Sequence, residues 1–300
     1  MRGDVRHGAA KRLAPLLVAA CVVGQPSPAS ASWIFESDAG LVHETNLGLA
    51  QKARDVRSDT ALSTSVSTGL AFPLDERNMH IASVTGDVGG NGYPEFHGLS
   101  NLTLGLTTAF RSKFGLGAAA PWLRLWGSGA RLEYDDSVRD GWRYRLGAGV
   151  GKRFLERVDV RLDYTFEERI ADHGRFVFRL PGDVFDTQSH TYSGRVDVFY
   201  SEALSLFAGY AYRDGDVVSS TRRNTAILDA SSALTRDRVF GPDFVAYKID
   251  ATVHILSFGL SFALGPRSSL NLSYERQIGL GNQGLDYFND VFRAGVLFTY

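Results

Sequence analysis

The chain has 300 residues, with 32 basic and 33 acidic side chains and a single cysteine. This nearly balanced charge lacks the basic excess that nucleic-acid-binding proteins need, so that class is excluded. Aromatic residues make up 12% of the chain, there are 32 glycines, and polar and apolar residues are interleaved so evenly that the mean hydropathy is −0.11.

The amino-terminal segment has the parts of a secretory signal peptide. Four basic residues precede an apolar run from Leu13 to Val23, and Ala29-Ser30-Ala31 is a small-residue cleavage site. The run is shorter than the roughly 20 residues of a membrane-spanning helix, and no later segment approaches that length. We therefore expect residues 1–31 to be removed. An alternative is Val18-Ala19-Ala20-Cys21, which resembles a lipobox that would lipidate Cys21.

Cleavage after Ala31 would discard the only cysteine, so no disulfide or thiol chemistry is expected in the mature chain. It would also remove four of the 32 basic residues and one of the 33 acidic residues, leaving 28 and 32 and a net charge of −4.

Alternating stretches recur about every twenty residues, as strands with one apolar face do. The predicted strands are Ala39–Lys52, Asp59–Phe72, Asn78–Gly89, Leu99–Arg111, Pro121–Tyr134, Trp142–Arg153, Val158–Glu167, Thr187–Tyr200, Leu204–Arg213, Phe244–Leu264, Ser269–Gln277 and Asp290–Tyr300.

The clearest pattern is the hairpin from Trp142 to Glu167. In both of its strands, the even-numbered positions are mostly apolar and the odd-numbered positions carry charges or glycines. A charged face that continues through two strands requires an aqueous interior. The odd-numbered charges are Arg143, Arg145, Arg153, Asp159, Arg161, Asp163 and Glu167.

The charges also predict the register of this hairpin. If paired residue numbers sum to 312, Arg153 lies opposite Asp159, Arg145 lies opposite Glu167, and glycines lie across from Arg161 and Asp163. A sum of 310 would place Arg153 opposite Arg157, a like-charge pair that sheets avoid. We predict the sum of 312, with Arg161 and Asp163 reaching farthest into the interior.

The stretch Phe244–Leu264 changes phase near its middle. Lys248 and Asp250 occupy the same alternate positions as Phe258 farther along. A bulge near Leu256 would let both parts keep their polar side chains inward. We therefore predict that Lys248 and Asp250 face the interior.

Two long linkers carry apolar residues. Within Asp214–Asp243, Asn224–Arg236 places apolar residues at helical spacing behind an asparagine that can cap a helix. This segment is either an exposed loop, the interpretation we favour, or a short lid or plug helix. In Arg175–Phe185, apolar residues precede the turn dipeptide Pro181-Gly182, which predicts a protruding hairpin.

The last predicted strand has an apolar residue at every second position to the end of the sequence. A final strand of this kind that ends on an aromatic residue resembles the carboxyl-terminal assembly signal of Gram-negative outer-membrane β-barrels. The residues that carry the resemblance are Phe292, Val296, Phe298 and Tyr300.

The resemblance implies an all-β fold, an antiparallel transmembrane β-barrel in the cell outer membrane whose last strand pairs with the first. It also implies outer-membrane lipid and lipopolysaccharide as surroundings and the barrel assembly machinery as a partner. Twelve strands are counted in residues 32–300, with short turns after even strands and longer linkers after odd ones. With a periplasmic amino terminus, every short turn is periplasmic, as such barrels require. Ten or fourteen strands remain alternatives.

No catalytic or metal-binding pattern stands out. Outer-membrane lipid hydrolases would use His-x-Ser on one strand face, whereas His80, His97, His190 and His254 are each followed by serine at the third position. Omptin-like proteases would need Asp-x-His, which does not occur in the sequence. No strand places two metal ligands two residues apart. We expect neither an enzyme nor a cofactor.

The inward charges are the candidate functional residues. They line either a narrow diffusion channel or the salt-bridged filling of a closed barrel that serves as a structural or partner-binding platform. Barrels of about eight strands are filled and those of sixteen or more are open, so twelve strands do not decide between the two. The predicted lining residues are Arg143, Arg145, Asp159, Arg161, Asp163, Glu167, Arg195, Asp197, Lys248, Asp250, Glu275 and Arg293.

Overall fold

The computed structural model describes residues 31–172 and 183–300. Most of this part of the chain is extended. In chain order the strands are β1 (Ser32–Glu44), β2 (Asp59–Pro73), β3 (His80–Gly92), β4 (Asn101–Lys113), β5 (Trp122–Tyr134), β6 (Gly141–Phe154), β7 (Val158–Ala171), β8 (Thr187–Phe199), β9 (Leu204–Arg222), β10 (Ala233–Arg236), β11 (Phe244–Gly265), β12 (Ser268–Gly281) and β13 (Leu285–Thr299).

Helical structure in the described residues is confined to linkers. An α-helix, α1 (Thr225–Ala230), lies between β9 and β10. Single 3-10 turns occur at Ala53–Asp55, His97–Leu99, Ser137–Arg139 and Asn282–Gly284. None of these helices is long and apolar enough to cross a membrane.

Within the described ranges, twelve strands form one closed antiparallel barrel. Each barrel strand pairs with its neighbour, β13 returns to pair with β1, and β9 pairs with β11. The thirteenth strand, β10, pairs with the outer end of β11. The prediction of an all-β barrel of about twelve strands, closed by pairing of the last strand with the first, is confirmed.

The barrel has an apolar outer face and a polar inner face. Leu146 and Leu162 leave 60% and 59% of their surface exposed on the outer face. Side chains of this kind from the other barrel strands complete a band that is too large to face water and that matches the lipid-facing band of transmembrane barrels. Closure of the sheet pairs the backbone groups that lipid could not satisfy.

The hairpin of β6 and β7 has the predicted register. Arg153 is paired with Asp159, Arg145 with Glu167, and Gly149 with Asp163, so that each pair of numbers sums to 312. The predicted register is confirmed, with Arg145 and Arg153 each opposite an acid, although Arg143 lies opposite Arg169 at the end of the hairpin away from its turn.

The first strand lies nearer to the amino terminus than predicted. β1 covers Ser32–Glu44 rather than Ala39–Lys52. Leu47 and Leu49 continue the apolar alternation past Glu44, but they pack against buried clusters at one end of the barrel and not in the barrel wall.

That end is the one with the longer linkers, and we call it external. The outer ends of β9 and β11, with α1 and β10 between them, form a cap over it, residues 217–249. Three buried clusters join this cap to the other linkers and strand ends. The buried apolar residues that belong to the cap are Val217, Ile227, Ala233, Leu234, Phe240, Phe244, Val245, Ala246, Tyr247 and Ile249.

The cap corrects the prediction for Lys248 and Asp250. β11 keeps a continuous register past Leu256, and its only irregularity lies between Ala263 and Gly265, so there is no bulge near Leu256. The two polar residues share the face of Phe258, which is the outer face. Beyond the membrane both faces of β11 are covered. Ala246, on the face of Phe258, is buried against Val184 and Phe185, and Ile249, on the opposite face, is buried against other apolar residues. The change of phase therefore marks where the strand leaves the membrane and not a bulge.

The segment Asn224–Arg236 contains the short helix that was the less favoured alternative. Ile227 of α1 is 2% exposed and Leu234 of β10 is 4% exposed, so the segment is packed and not an exposed loop. The protruding hairpin predicted for Arg175–Phe185 lies largely outside the described residues. Its described end, at Val184 and Phe185, is buried against the cap.

Candidate functional site

The inner faces of β6, β7 and β8 carry ion pairs. Arg153 Nε donates to Asp159 Oδ1 over 2.9 Å, Arg145 Nε to Glu167 Oε2 over 2.5 Å, and Arg195 Nη2 to Asp197 Oδ1 over 2.6 Å. A looser pair joins Arg161 Nε to Asp163 Oδ2 at 3.8 Å. On the far side of the lumen, Arg293 Nη1 donates to Glu275 Oε2 over 3.3 Å.

Three like-charge pairs occur within this ladder. Asp159 lies directly opposite Asp197, Arg161 opposite Arg195, and Arg143 opposite Arg169. Direct opposition of like charges destabilises a sheet, but Asp159 and Asp197 each accept two hydrogen bonds from an arginine, Arg153 or Arg195. The result is alternating layers of negative and positive charge along the inner wall.

The lumen next to the ladder is accessible to solvent. The Arg161 side chain is 46% exposed and the Arg293 side chain 44% exposed, although both belong to the inner face. An inward side chain can be this exposed only where the interior holds open space. The twelve strands therefore do not enclose a uniformly filled core.

Aromatic rings narrow this space. Trp122 and Trp126 of β5 lie against Gly151 and Gly147 of β6, and a Cβ added at either glycine would collide with the indole ring. Arg111 stacks on Trp122, with its guanidinium carbon 5.3 Å from the ring centroid. The glycines of β6 thus leave space for the indole rings of β5, as expected where a bulky side chain lies directly against the backbone of a strand.

The wall formed by β2, β3 and β4 differs from the ladder. Its inner positions carry mainly hydroxyl and amide groups, and it borders a polar cavity of about 300 Å³. Asp87 lies in this wall and accepts hydrogen bonds from Ser67 Oγ (2.6 Å) and Thr107 Oγ1 (2.7 Å). The side chains that line the cavity include Ser63, Ser65, Ser67, Asp87, Asn91, Asn101, Thr103, Leu132, Tyr134 and Arg143.

Hydrogen bonds and ion pairs anchor the cap over the external mouth. Asp237, 1% exposed, accepts from Arg139 Nη2 over 2.6 Å and also from Ser220. Asp55, equally buried, accepts from Thr221 Oγ1 over 2.7 Å. These contacts tie the cap to the linkers after β1 and β5.

Apolar contacts complete the cap. Phe96, from the linker after β3, packs on Phe240 with ring centroids 5.2 Å apart.

Tyr93 of the same linker donates to Glu44 Oε1 over 3.2 Å. Burial, reinforced by the charge of that carboxylate, raises the pKa of Tyr93 well above its usual range, so its hydroxyl remains a neutral donor.

The structure places ten of the twelve predicted lining residues on the inner face of the barrel. Lys248 and Asp250 are the exceptions: Lys248 Nζ donates to the carbonyl of Asp186 over 3.1 Å, and Asp250 is exposed at the outer side of the cap. Sequence reasoning missed Asp87 and Arg124. Both residues lie at inner positions. On β3 the polar and apolar positions differ too little for the inner face to be recognised, and on β5 the inner face also carries Trp122 and Trp126.

The histidines that are followed by serine at the third position do not form a catalytic pair with it in the described part of the chain. His254 Nδ1 is hydrogen-bonded to the Tyr210 hydroxyl (2.8 Å) and His190 Nδ1 to the Tyr164 hydroxyl (2.9 Å), all on the lipid-facing side. A different pair, His80 Nδ1 and Ser112 Oγ, is 3.0 Å apart, but Ser112 is only 4% exposed. No cluster of three metal-ligating side chains occurs among residues 31–172 and 183–300.

No protein-family model matches the sequence, and a comparison with curated proteins gave no match. Solved structures do match in fold. An outer-membrane channel from Pseudomonas putida F1 has a TM-score of 0.53 and 13% identity, with 89% of this chain and 95% of that chain covered. The NanC porin has a TM-score of 0.47 and 11% identity, covering 87% and 98%. The fold is that of a Gram-negative outer-membrane β-barrel of the porin-like class.

Proposed function

We propose that this protein is an outer-membrane channel for small polar or charged solutes, and that the cap closes its external mouth in the conformation described here. The observation that carries the proposal is the exposure of inward arginines. Arg161 and Arg293 leave 46% and 44% of their side chains exposed within the lumen. A barrel filled by its own side chains would bury them.

The cap supplies the gating element of the proposal. It is joined to the linkers after β1, β3, β5 and β7, and its buried contacts are local to the external end. The membrane-spanning ladder does not depend on these contacts, because the barrel strands are paired throughout. The cap can therefore move while the barrel stays folded.

A second candidate is a closed barrel that acts as a structural or partner-binding platform. The packed cap favours it, because three buried clusters cover the mouth. In that case no conformation would conduct, and the external linkers would form a recognition surface. An enzyme is the least supported alternative, since the hydrogen-bonded pair His43 and Thr60 lies on the lipid-facing side and Ser112 beside His80 is buried.

Removal of the cap segment separates the two candidates. Asp216 and Asp250 are directly paired partners on β9 and β11, so the whole cap, residues 217–249, can be replaced by a two-residue Asn-Gly hairpin turn. The mature protein, residues 32–300, and this variant would be compared by conductance in planar lipid bilayers. We expect a several-fold higher conductance and a longer open time in the variant, because the mouth is uncovered.

A point substitution provides a milder form of the same test. Asp237→Ala removes the closer of the two carboxylates beside buried Arg139 and leaves Asp136 at 3.8 Å, which should destabilise the cap by at most about 3–5 kcal/mol and raise the open fraction. Asp229→Ala, at an exposed position in the same segment, is the matched control. If the barrel without its cap is folded and does not conduct, the channel proposal is wrong and the closed barrel that serves as a platform replaces it.

A further inference from the structure

The polar cavity has opposite charges at two ends of one row of the sheet. Asp87 of β3 is paired with Gly105 of β4, Gly105 with Ala130 of β5, and Ala130 with Arg143 of β6. These four inner positions span three strand spacings, or about 14 Å along the wall. Asp87 and Arg143 both line the polar cavity, which extends from this row toward the external ends of β3, β4 and β5.

Arg143 lies in a local excess of positive charge. It is directly opposite Arg169 on β7, and the charged groups that act on it are mainly those of Arg145, Glu167 and Arg169. Glu167 is already bonded to Arg145. Glu167 therefore does not neutralise Arg143 through a direct hydrogen bond. The Arg143 guanidinium favours a further carboxylate, which it can bind through two parallel hydrogen bonds.

Asp87 has the complementary environment. Its described hydrogen-bond partners are the hydroxyls of Ser67 and Thr107, both neutral. Hydroxyl donors orient a carboxylate without cancelling its charge. A cationic group that reaches the cavity would therefore form a stronger, charge-assisted hydrogen bond with Asp87.

We propose that this cavity binds a short zwitterionic solute, such as a dipeptide, with its ammonium group at Asp87 and its carboxylate at Arg143. The volume of about 300 Å³ is at the lower end of small-molecule sites. The amides of Asn91 and Asn101 border the cavity at its external end. This inference rests on the proposed channel function, since the solute reaches the cavity through the lumen.

Calorimetric titration of the purified mature protein in detergent tests the site without requiring conduction. The probes are L-alanyl-L-alanine, N-acetyl-L-alanine, which lacks the ammonium group, L-alanine amide, which lacks the carboxylate, and maltose, which is uncharged. We expect L-alanyl-L-alanine to bind at least about tenfold more tightly than each of the other three, because each lacks at least one charged contact.

Two variants assign the ends of the solute. Asp87→Asn should weaken L-alanyl-L-alanine at least tenfold and leave N-acetyl-L-alanine unchanged, whereas Arg143→Gln should weaken both. Asp38→Asn on β1 and Arg124→Gln on β5 remove equivalent inner charges that do not line the cavity, and they should leave affinity unchanged.

The inference is overturned if the wild-type protein does not bind the dipeptide, if maltose binds equally well, or if the site variants behave like the controls. If the protein conducts ions but does not bind the dipeptide, the proposed binding site is wrong and the channel proposal stands. If the protein binds the dipeptide but no variant conducts, the channel proposal is wrong and the binding site stands.

Discussion

At the scale of single residues, a glycine lies across the hairpin from each of two lumen charges, Asp163 and Arg161. The carboxylate of Asp163 lies over Gly149, its partner across the hairpin, as the spacing of glycines and charges predicted. Arg161 also faces a glycine, Gly151, but the space above that glycine is taken by Trp122. Arg161 is consequently the more exposed of the two, with 46% of its side chain accessible against 34% for Asp163.

This difference predicts ion selectivity. Arg161→Ala should shift the permeability ratio toward cations and Asp163→Ala toward anions, because each removes one fixed charge from the lumen. The larger shift is expected for Arg161. Reversal potentials in a salt gradient provide the measurement, and the variant without residues 217–249 supplies the channels for it.

The controls for this prediction are Arg77→Ala and Glu76→Ala. They remove the same charges from the exposed periplasmic turn between β2 and β3. Unchanged selectivity in both lumen variants would mean that the ladder fills the barrel and does not line a conducting path.

At the scale of elements, the closing strand β13 is held by backbone pairing with β1 and by aromatic contacts at its end. Phe298 packs edge-on against Phe35 with ring centroids 6.2 Å apart. The Tyr300 amide donates to the Phe35 carbonyl over 2.9 Å, and Arg267 stacks on the Tyr300 ring at 4.1 Å. The last three residues therefore complete the seam where the barrel closes.

Deletion of Phe298, Thr299 and Tyr300 should abolish or strongly reduce membrane insertion, since these residues also carry the proposed assembly signal. Tyr300→Phe keeps the ring and the backbone bond and should insert normally, whereas Tyr300→Ser should insert less. The fraction of protein in washed outer membranes is the measurement. Full insertion of the truncated chain would contradict the role assigned to this strand.

At the scale of the whole molecule, closure of the sheet predicts resistance to detergent. A barrel in which each strand is paired on both sides has no frayed edge at which denaturation can begin. The mature protein should therefore migrate differently on electrophoresis in dodecyl sulfate before and after boiling. Recovery in the soluble periplasmic fraction, or a mainly helical circular dichroism spectrum, would be incompatible with this fold.

Amino-terminal sequencing of the same sample should begin at Ser32 if the signal peptide is cleaved after Ala31.

The sequence by itself determined the strands of the wall and the register of β6 and β7. These features depend on period-two alternation and on charge pairing between consecutive strands, which are local or nearly local properties. The closure of β13 on β1 joins opposite ends of the chain, and it was expected only from the resemblance of the last strand to the outer-membrane assembly signal.

Only the tertiary structure decided what covers β11 beyond the membrane. Lys248 and Asp250 follow the alternation of a lumen-facing strand, but the residue between them, Ile249, is buried in a cluster with Leu285 and Tyr287. The cavity between Asp87 and Arg143 likewise depends on four strands being in register. A strand pattern reports that its two faces differ, but which face is wet depends on what the rest of the chain places beside it.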